Sequence, residues 1–401
     1  MKYKIALAIL LISAALLTGC RSEQPVEKPD YDQPLLPGQN ALRKITDPTQ
    51  IPDFTVACFN LTDLRASIDR SLNYLGKASS KQHFPVSGIS HSHCVRSLEE
   101  FAKLLDSGTF GTQLNAEIRR KFDVYMSVGC DNKGTVLFTG YYTPIFDGSA
   151  RPSDRYIHPL YTQPPDLVKG PNGEILGKRL PDGTITPYPP RAELTNSPDL
   201  AGKELVWLTD PFEAYIAHVQ GSAKIRMPDG RLETVGYAAN NGHEYKSIGR
   251  EMLRDGAIPK DKLSLSAMIQ YFKQHKNLID IYTNRNPRFV FFRKEQGDPR
   301  GSLNEPVTKM RSIATDKSIF PRAALTFITT KLPRQTAGTV TQRYYSGFAL
   351  DQDTGGAIRA PGRCDVYMGV GDTAGKLAGA TYQEGKLYYL FLKDAGVADY
   401  Y

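Results

Sequence analysis

The stretch that most constrains this chain lies near its C-terminus. Leu350-Asp351-Gln352-Asp353-Thr354-Gly355-Gly356-Ala357-Ile358 is followed, after a short gap, by Cys364-Asp365-Val366-Tyr367-Met368-Gly369. The aromatic and small residues at 344–350 read as a strand that delivers Asp353 to its end. The glycine pair then permits a tight turn and close approach by a ligand or another strand. A second short strand, residues 366–368, follows Asp365, and only Arg359 and Arg363 offer positive charge nearby. Two carboxylates at neighbouring strand ends would repel each other, and partial burial would raise one pKa into a range useful to a general acid. The same residues also fit a plainer role, with Asp353 as a turn former and Asp365 as a strand-edge charge.

The other end of the chain reads as an export signal. Lys2 and Lys4 precede an apolar run, residues 5–17, that is too short to span a membrane comfortably. Leu17-Thr18-Gly19-Cys20 has the form of a bacterial lipobox, so residues 1–19 are expected to be removed and Cys20 lipidated. Arg21 rather than an aspartate follows Cys20, which by analogy directs the anchor to the outer membrane, facing the periplasm. Residues 20–45 are rich in Pro, Glu, Asp and Gln and read as a solvated tether.

Beyond the tether the chain has ample apolar content for one large or two medium cores, at 40% hydrophobic over 401 residues. A net charge of +8 fits an anionic wall polymer or membrane surface better than nucleic acid, which an exported lipoprotein does not meet. Cys58, Cys94, Cys130 and Cys364 remain after Cys20; the periplasm permits disulfides, and Cys58 with Cys94 would close a loop around one helix. His91-Ser92-His93-Cys94 superficially resembles a metal motif, but no second ligand cluster has metal-site spacing. No metal and no cofactor is expected.

Apolar residues at helical spacing mark two packing helices, Leu64/Ile68/Leu72/Leu75 and Leu98/Phe101/Leu104/Leu105. From Phe122 the pattern turns to strands, residues 122–128 and 135–142. Residues 148–205 are loop-heavy, punctuated by proline and glycine turns. Residues 215–219 and 223–227 read as strands, 245–254 and 265–275 as helices, and 289–292 as a buried strand.

Several motifs in order resemble one family. Asp353-Thr354-Gly355-Gly356-Ala357-Ile358 and Asp365-Val366-Tyr367-Met368-Gly369 are similar to the three-aspartate ("3D") domain of bacterial wall-lytic enzymes, and Asp316-Lys317-Ser318-Ile319-Phe320-Pro321 fits the segment of its first aspartate. Phe138-Thr139-Gly140-Tyr141-Tyr142-Thr143-Pro144, Val219-Gln220-Gly221-Ser222-Ala223 and Asn241-Gly242-His243-Glu244-Tyr245 extend the likeness to the membrane-bound lytic murein transglycosylase A family. The resemblance implies a mainly β fold: a discontinuous double-psi β-barrel, an inserted second β-rich domain and a groove between them. Residues 46–147 with 299–401 would form the barrel, and residues 148–298 the insert. It also implies non-hydrolytic cleavage of peptidoglycan glycan strands to 1,6-anhydro products, with Asp365 as acid and then base. Asp353 and Asp316 would support it by raising its pKa and fixing hydrogen bonds. Thr139, Tyr142, Gln220, Ser222 and Tyr245 would bind substrate. The partners would be a glycan strand, the membrane through the Cys20 lipid, and wall-synthesis or division proteins. Two other readings use the same residues: a wall-binding lipoprotein without activity, and a hydrolase with Asp353 or Asp351 as second carboxylate.

The lipobox reading has a direct check. Cys20→Ala protein is expected in the soluble periplasmic fraction while wild type fractionates with outer membrane; a Cys20→Ala protein that stays membrane-bound would contradict it.

Overall fold

The computed structural model describes residues 29–393 apart from Asn172, Asn196 and Asp261, so Cys20 and the expected signal lie outside the described residues. Along the chain the strands are Leu42–Lys44 (β1), Phe122–Ser127 (β2), Val136–Thr143 (β3), Ile145–Ser149 (β4), His158–Tyr161 (β5), Leu167–Lys169 (β6), Ile175–Arg179 (β7), Ile185–Thr186 (β8) and Glu204–Leu208 (β9). Ala223–Arg226 (β10), Leu232–Asn240 (β11), Val290–Glu295 (β12), Ser312–Ala314 (β13), Leu325–Thr336 (β14), Thr339–Asp353 (β15), Arg363–Val370 (β16) and Tyr382–Leu392 (β17) follow.

β17 pairs with both β14 and β3, so the order β17-β14-β15-β13-β16-β3 closes into a six-stranded barrel. Its two parallel pairs, β13 with β15 and β3 with β16, belong to the double-psi topology. The longest ladder, β14 with β15, turns through Ala337 and Gly338 at φ 47° and 82°, the left-handed pair that matches strand twist in a two-residue hairpin. The barrel is discontinuous because β3 lies far upstream of its partners. After Thr143 the chain enters a second sheet, β12-β11-β10-β4-β9-β5, with the small sheet β6-β7-β8 beside it in sequence.

Each sheet has its own apolar core. In the first, Leu64, Ile68, Leu98, Phe101, Leu114 and Ile118, from helices Leu64–Leu75, His91–Asp106 and Gly111–Lys121, pack on Phe327, Phe348 and Phe391. Phe54 and Phe101 meet the barrel rings at 4.7 Å (Phe327) and 5.3 Å (Phe348) between centroids. In the second, Leu160, Leu208, Phe212, Ile216, Ile225 and Phe292 form the centre.

Several expectations change. Residues 215–219 are not a strand but part of the helix Pro211–Gln220, whose start is fixed by Asp210 accepting from the Phe212 and Glu213 N–H groups and by Pro211 in the first turn. The five-residue window was too short to separate the two periods. Residues 148–205 contain four short strands, β5 to β8, rather than loop alone, with the end of β4 and the start of β9 at their margins. The tether expected to run to residue 45 gives way from Tyr31 onward: the Tyr31 hydroxyl donates to Glu384 at 2.6 Å, Asp32 pairs with Arg250 and Arg363, and β1 pairs with β2. Cys58, Cys94 and Cys364 are buried free thiols, so the Cys58–Cys94 bridge is absent. Burial pushes the Cys58 thiol up to about 12. His91 bonds Ser80 and the Leu75 carbonyl, and His93 bonds the Leu392 carbonyl, so both imidazoles serve packing.

Asp351 turns into the protein, fully buried, and pairs there with Lys317 while accepting from Thr315 and Tyr389 hydroxyls at 2.7 Å. Desolvation pulls the Lys317 ammonium below its usual value, opposed first by Asp351. Asp351→Asn would leave that buried cation without its counter-charge, at a cost of about 3–5 kcal/mol. A urea midpoint unchanged from wild type would contradict this.

Candidate active site

The pairing around the short strand β13 builds the site. Ala314 is the register partner of Asp353 on β15 and of Asp365 on β16, and Asp365 is the partner of Thr139 on β3. Register partners point to one face of a sheet, so Thr139, Asp365, Ala314 and Asp353 form a row across four strands. Adjacent strands lie about 4.8 Å apart, which sets the two aspartate Cα atoms about 10 Å apart across the small Ala314 side chain. A register shift between β13 and β15 falls at Ile313/Ala314, opposite residues 351–353. This irregularity separates the fates of Asp351, turned into the protein, and Asp353, turned to the cleft.

The row forms the floor of a cleft of about 620 Å³. The barrel contributes Thr139, Tyr141, Ala314, Asp353, Asp365 and the turn 354–359; the second sheet and its neighbours contribute Gln220, Ser222, Tyr237, Tyr245, Arg288 and Arg293. Gln220 ends the helix Pro211–Gln220, where Gly221 at φ 75° stops the helix. Its side-chain oxygen accepts from the Tyr142 N–H at 3.2 Å, joining the helix end to β3.

Burial raises the Asp365 carboxyl above the usual aspartate value. A hydrogen bond from the Thr139 hydroxyl and the positive charge of Arg363 offset part of this. Burial likewise raises Asp353, against the backbone N–H groups of Ser302 and Thr354, each donating to its Oδ1 at 2.8 Å. The Tyr141 hydroxyl lies close enough to Asp353 to steady its charge, yet it is buried without a partner in good hydrogen-bonding geometry. Of the two causes expected for the Asp365 shift, burial and the charge of Asp353, burial is the one that raises it, with Thr139 and Arg363 acting against it.

Of the residues singled out from sequence, Asp365, Asp353, Thr139, Gln220, Ser222 and Tyr245 line one cleft. Tyr142 does not. Its side chain points to the opposite face of β3, into the core against Gly375, where an added Cβ would stand 2.8 Å from the Tyr142 ring. The cleft-facing aromatic of this strand is Tyr141, whose ring lies 5.1 Å from that of Tyr367 and is tilted 47° to it. Asp316 is also away from the cleft. Its Oδ1 accepts from Ser318, and its Oδ2 accepts from the Ala360 N–H at 3.0 Å, fastening the loop that joins Asp353 to Asp365. It therefore braces that loop instead of facing the cleft. Reading from sequence missed Arg288 and Arg293, which had no motif around them, and Tyr141, which the strand period alone could have supplied.

Comparison with known proteins agrees with this architecture. Residues 137–293 match the MltA specific insert domain, and residues 311–391 match the 3D domain. The chain is 32% identical over 273 residues to the membrane-bound lytic murein transglycosylase A of Escherichia coli K12, covering 67% of this chain and 69% of that protein. The namesake from Vibrio cholerae is 30% identical over 272 residues, covering 67% and 68%. Among solved structures, a membrane-bound lytic murein transglycosylase from Agrobacterium tumefaciens superposes with a TM-score of 0.73 at 25% identity, covering 88% of this chain and 98% of that one. E. coli MltA with bound chitohexaose shares the fold, at a TM-score of 0.67 and 24% identity over 92% of this chain and 98% of that one. The protein described here belongs to the membrane-bound lytic murein transglycosylase A family and is a lytic transglycosylase of peptidoglycan.

Proposed function

We propose that the enzyme cleaves the β-1,4 bond between MurNAc and GlcNAc without water, with Asp365 as the sole acid and base. Protonated Asp365 gives its proton to the departing glycosidic oxygen as the C1–O bond breaks. The resulting carboxylate then takes the proton of the C6 hydroxyl on the same MurNAc, whose oxygen bonds to C1 and closes the 1,6-anhydro ring. The proton lost in the first half is recovered in the second, so the scheme calls for no cofactor and no second carboxylate.

The observation that carries this reading is the raised pKa of Asp365, which burial brings about. The Thr139 hydroxyl donates to Oδ1 and leaves Oδ2 to hold the travelling proton. Asp351, one of the two second carboxylates a hydrolase could use, is fully buried and paired with Lys317, out of a substrate's reach. Asp353 is a positioning residue: its carboxylate gathers Ser302 and Thr354 and fixes the turn that edges the cleft. In this proposal the barrel, residues 46–147 and 299–401, is catalytic. The insert, residues 148–298, presents Gln220, Ser222 and Tyr245 to a glycan strand. Cys20 anchors the enzyme to the outer membrane from the periplasmic side.

Digests of purified sacculi, analysed by mass spectrometry, should contain muropeptides lighter by one water than hydrolysis products. Asp365→Asn can neither give nor recover a proton and should lose at least about 10²-fold in rate. Because the protonated form is required, activity should be present below the raised pKa and decline as pH rises through it. Asp353→Asn should leave that decline in place, since burial sets it. Products with an added water, or near-normal turnover by Asp365→Asn, would overturn the proposal in favour of a hydrolase.

A further inference from the structure

The proposed proton transfers leave unused a pair of positive charges on the cleft wall. Arg288, which follows Pro287 just before β12, and Arg359, in the turn after Gly355-Gly356, both line the cavity. Of the other arginines there, Arg293 pairs with Glu295 at 3.0 Å and Arg363 with Asp32 at 2.8 Å, while Arg300 is turned to the Asn304 carbonyl, to which its Nη1 donates at 2.7 Å. Among the described residues no carboxylate lies within ion-pair distance of Arg288 or Arg359. Arg288 is half-buried, and its Nη1 donates to the His243 carbonyl at 3.1 Å, which fixes its direction without cancelling its charge.

The turn brings the second charge to the first. A Cβ added at Gly356 would stand 3.3 Å from both Arg288 Nε and Tyr245 Cβ, so the backbone there lies flush against the Arg288 side chain. Arg359 follows three residues later, exposed to the cleft. It is near enough that its charge, together with burial as the larger cause, lowers the Arg288 pKa. Two guanidinium groups lining one partly desolvated cleft repel, and an anion bound by both would turn that cost into attraction. A guanidinium matches a carboxylate with two parallel hydrogen bonds.

We infer that Arg288 and Arg359 form a carboxylate-binding site that takes the acidic substituent of a MurNAc residue in the cleft. This rests on the transglycosylase reading, which puts a glycan strand there. MurNAc carries a lactyl ether that GlcNAc lacks. In peptide-free glycan the lactyl group ends in a carboxylate; in peptide-bearing glycan that carboxyl is amide-linked and the carboxylates lie on the stem peptide. Either source supplies the same chemistry. The site gives the enzyme a means to register MurNAc and GlcNAc along an otherwise repetitive strand.

Binding of three ligands of equal sugar length to the full chain carrying Asp365→Asn, which halts turnover, tests this: peptide-bearing strands, amidase-stripped strands and chitooligosaccharide. At least one carboxylate-bearing ligand should bind about tenfold more tightly than chitooligosaccharide, the scale of one charge-assisted contact. Preference for stripped strands assigns the lactyl carboxylate; preference confined to peptide-bearing strands assigns the stem. Adding Arg288→Gln or Arg359→Gln should collapse the ratio toward one, and Arg359→Glu should reverse it. Arg359 is exposed, so its variants remain informative if Arg288→Gln fails to fold. Equal binding of all three ligands, or a ratio that survives the Arg359 substitutions, overturns the site. Wild-type digestion read in parallel separates the two failures: anhydro products with an insensitive ratio sink this inference alone, whereas hydrolytic products sink the reaction on which it rests.

Discussion

Everything at the candidate active site depends on one short strand being paired on both sides. β13 has only three residues, yet it pairs parallel to β15 and antiparallel to β16, and Ala314 is partner to Asp353 and Asp365 at once. Backbone hydrogen bonding therefore sets the spacing of the two carboxylates, with no side chain required to hold them apart. The small Ala314 side chain keeps the gap between them open to the cleft. Asp316 acts on the same frame from two residues further on, by holding the Ala360 N–H and with it the loop from Asp353 to Asp365.

Burial then gives similar residues different chemistry. Asp351, inside the protein, has a cationic partner in Lys317 and hydroxyl donors from Thr315 and Tyr389, so its charge is matched. Asp365, on the cleft floor, has one hydroxyl donor in Thr139 and the offset charge of Arg363, too little to compensate for its removal from water. Asp353 lies between these cases, raised by burial and steadied by two backbone N–H groups. Asp365 is thus a carboxylate whose burial is little matched by partners, which raises it above the usual aspartate value.

The sequence made the aspartates legible because glycine, strand and carboxylate recur there in a fixed order that resembles a known family. It made the barrel legible only through that resemblance, since β3 is separated from β16 by more of the chain than any local pattern spans. Tyr142 shows what a motif leaves open. In Tyr141-Tyr142 either ring could face the substrate, and the choice depends on which face of β3 meets the core. Phe138 and Tyr142 pack inward and Thr139 and Tyr141 outward, a phase that becomes visible only once the helix Gly371–Gly379 is seen against Gly140 and Tyr142. Arg288 was hidden for a different reason: its relation to Arg359 comes from the insert and the barrel meeting, to which no local signal points.

In the proposed mechanism burial, not a neighbouring charge, is what raises the Asp365 carboxyl. Its titration can be followed directly by carbon NMR of protein labelled at aspartate side-chain carboxyl carbons, with Asp365→Asn used to assign the resonance. The account expects a midpoint above the ordinary aspartate value of about 3.9, and the same elevation when Asp353 is replaced by asparagine. A midpoint at or below the ordinary value would contradict it, as would an elevation that disappears with the Asp353 charge.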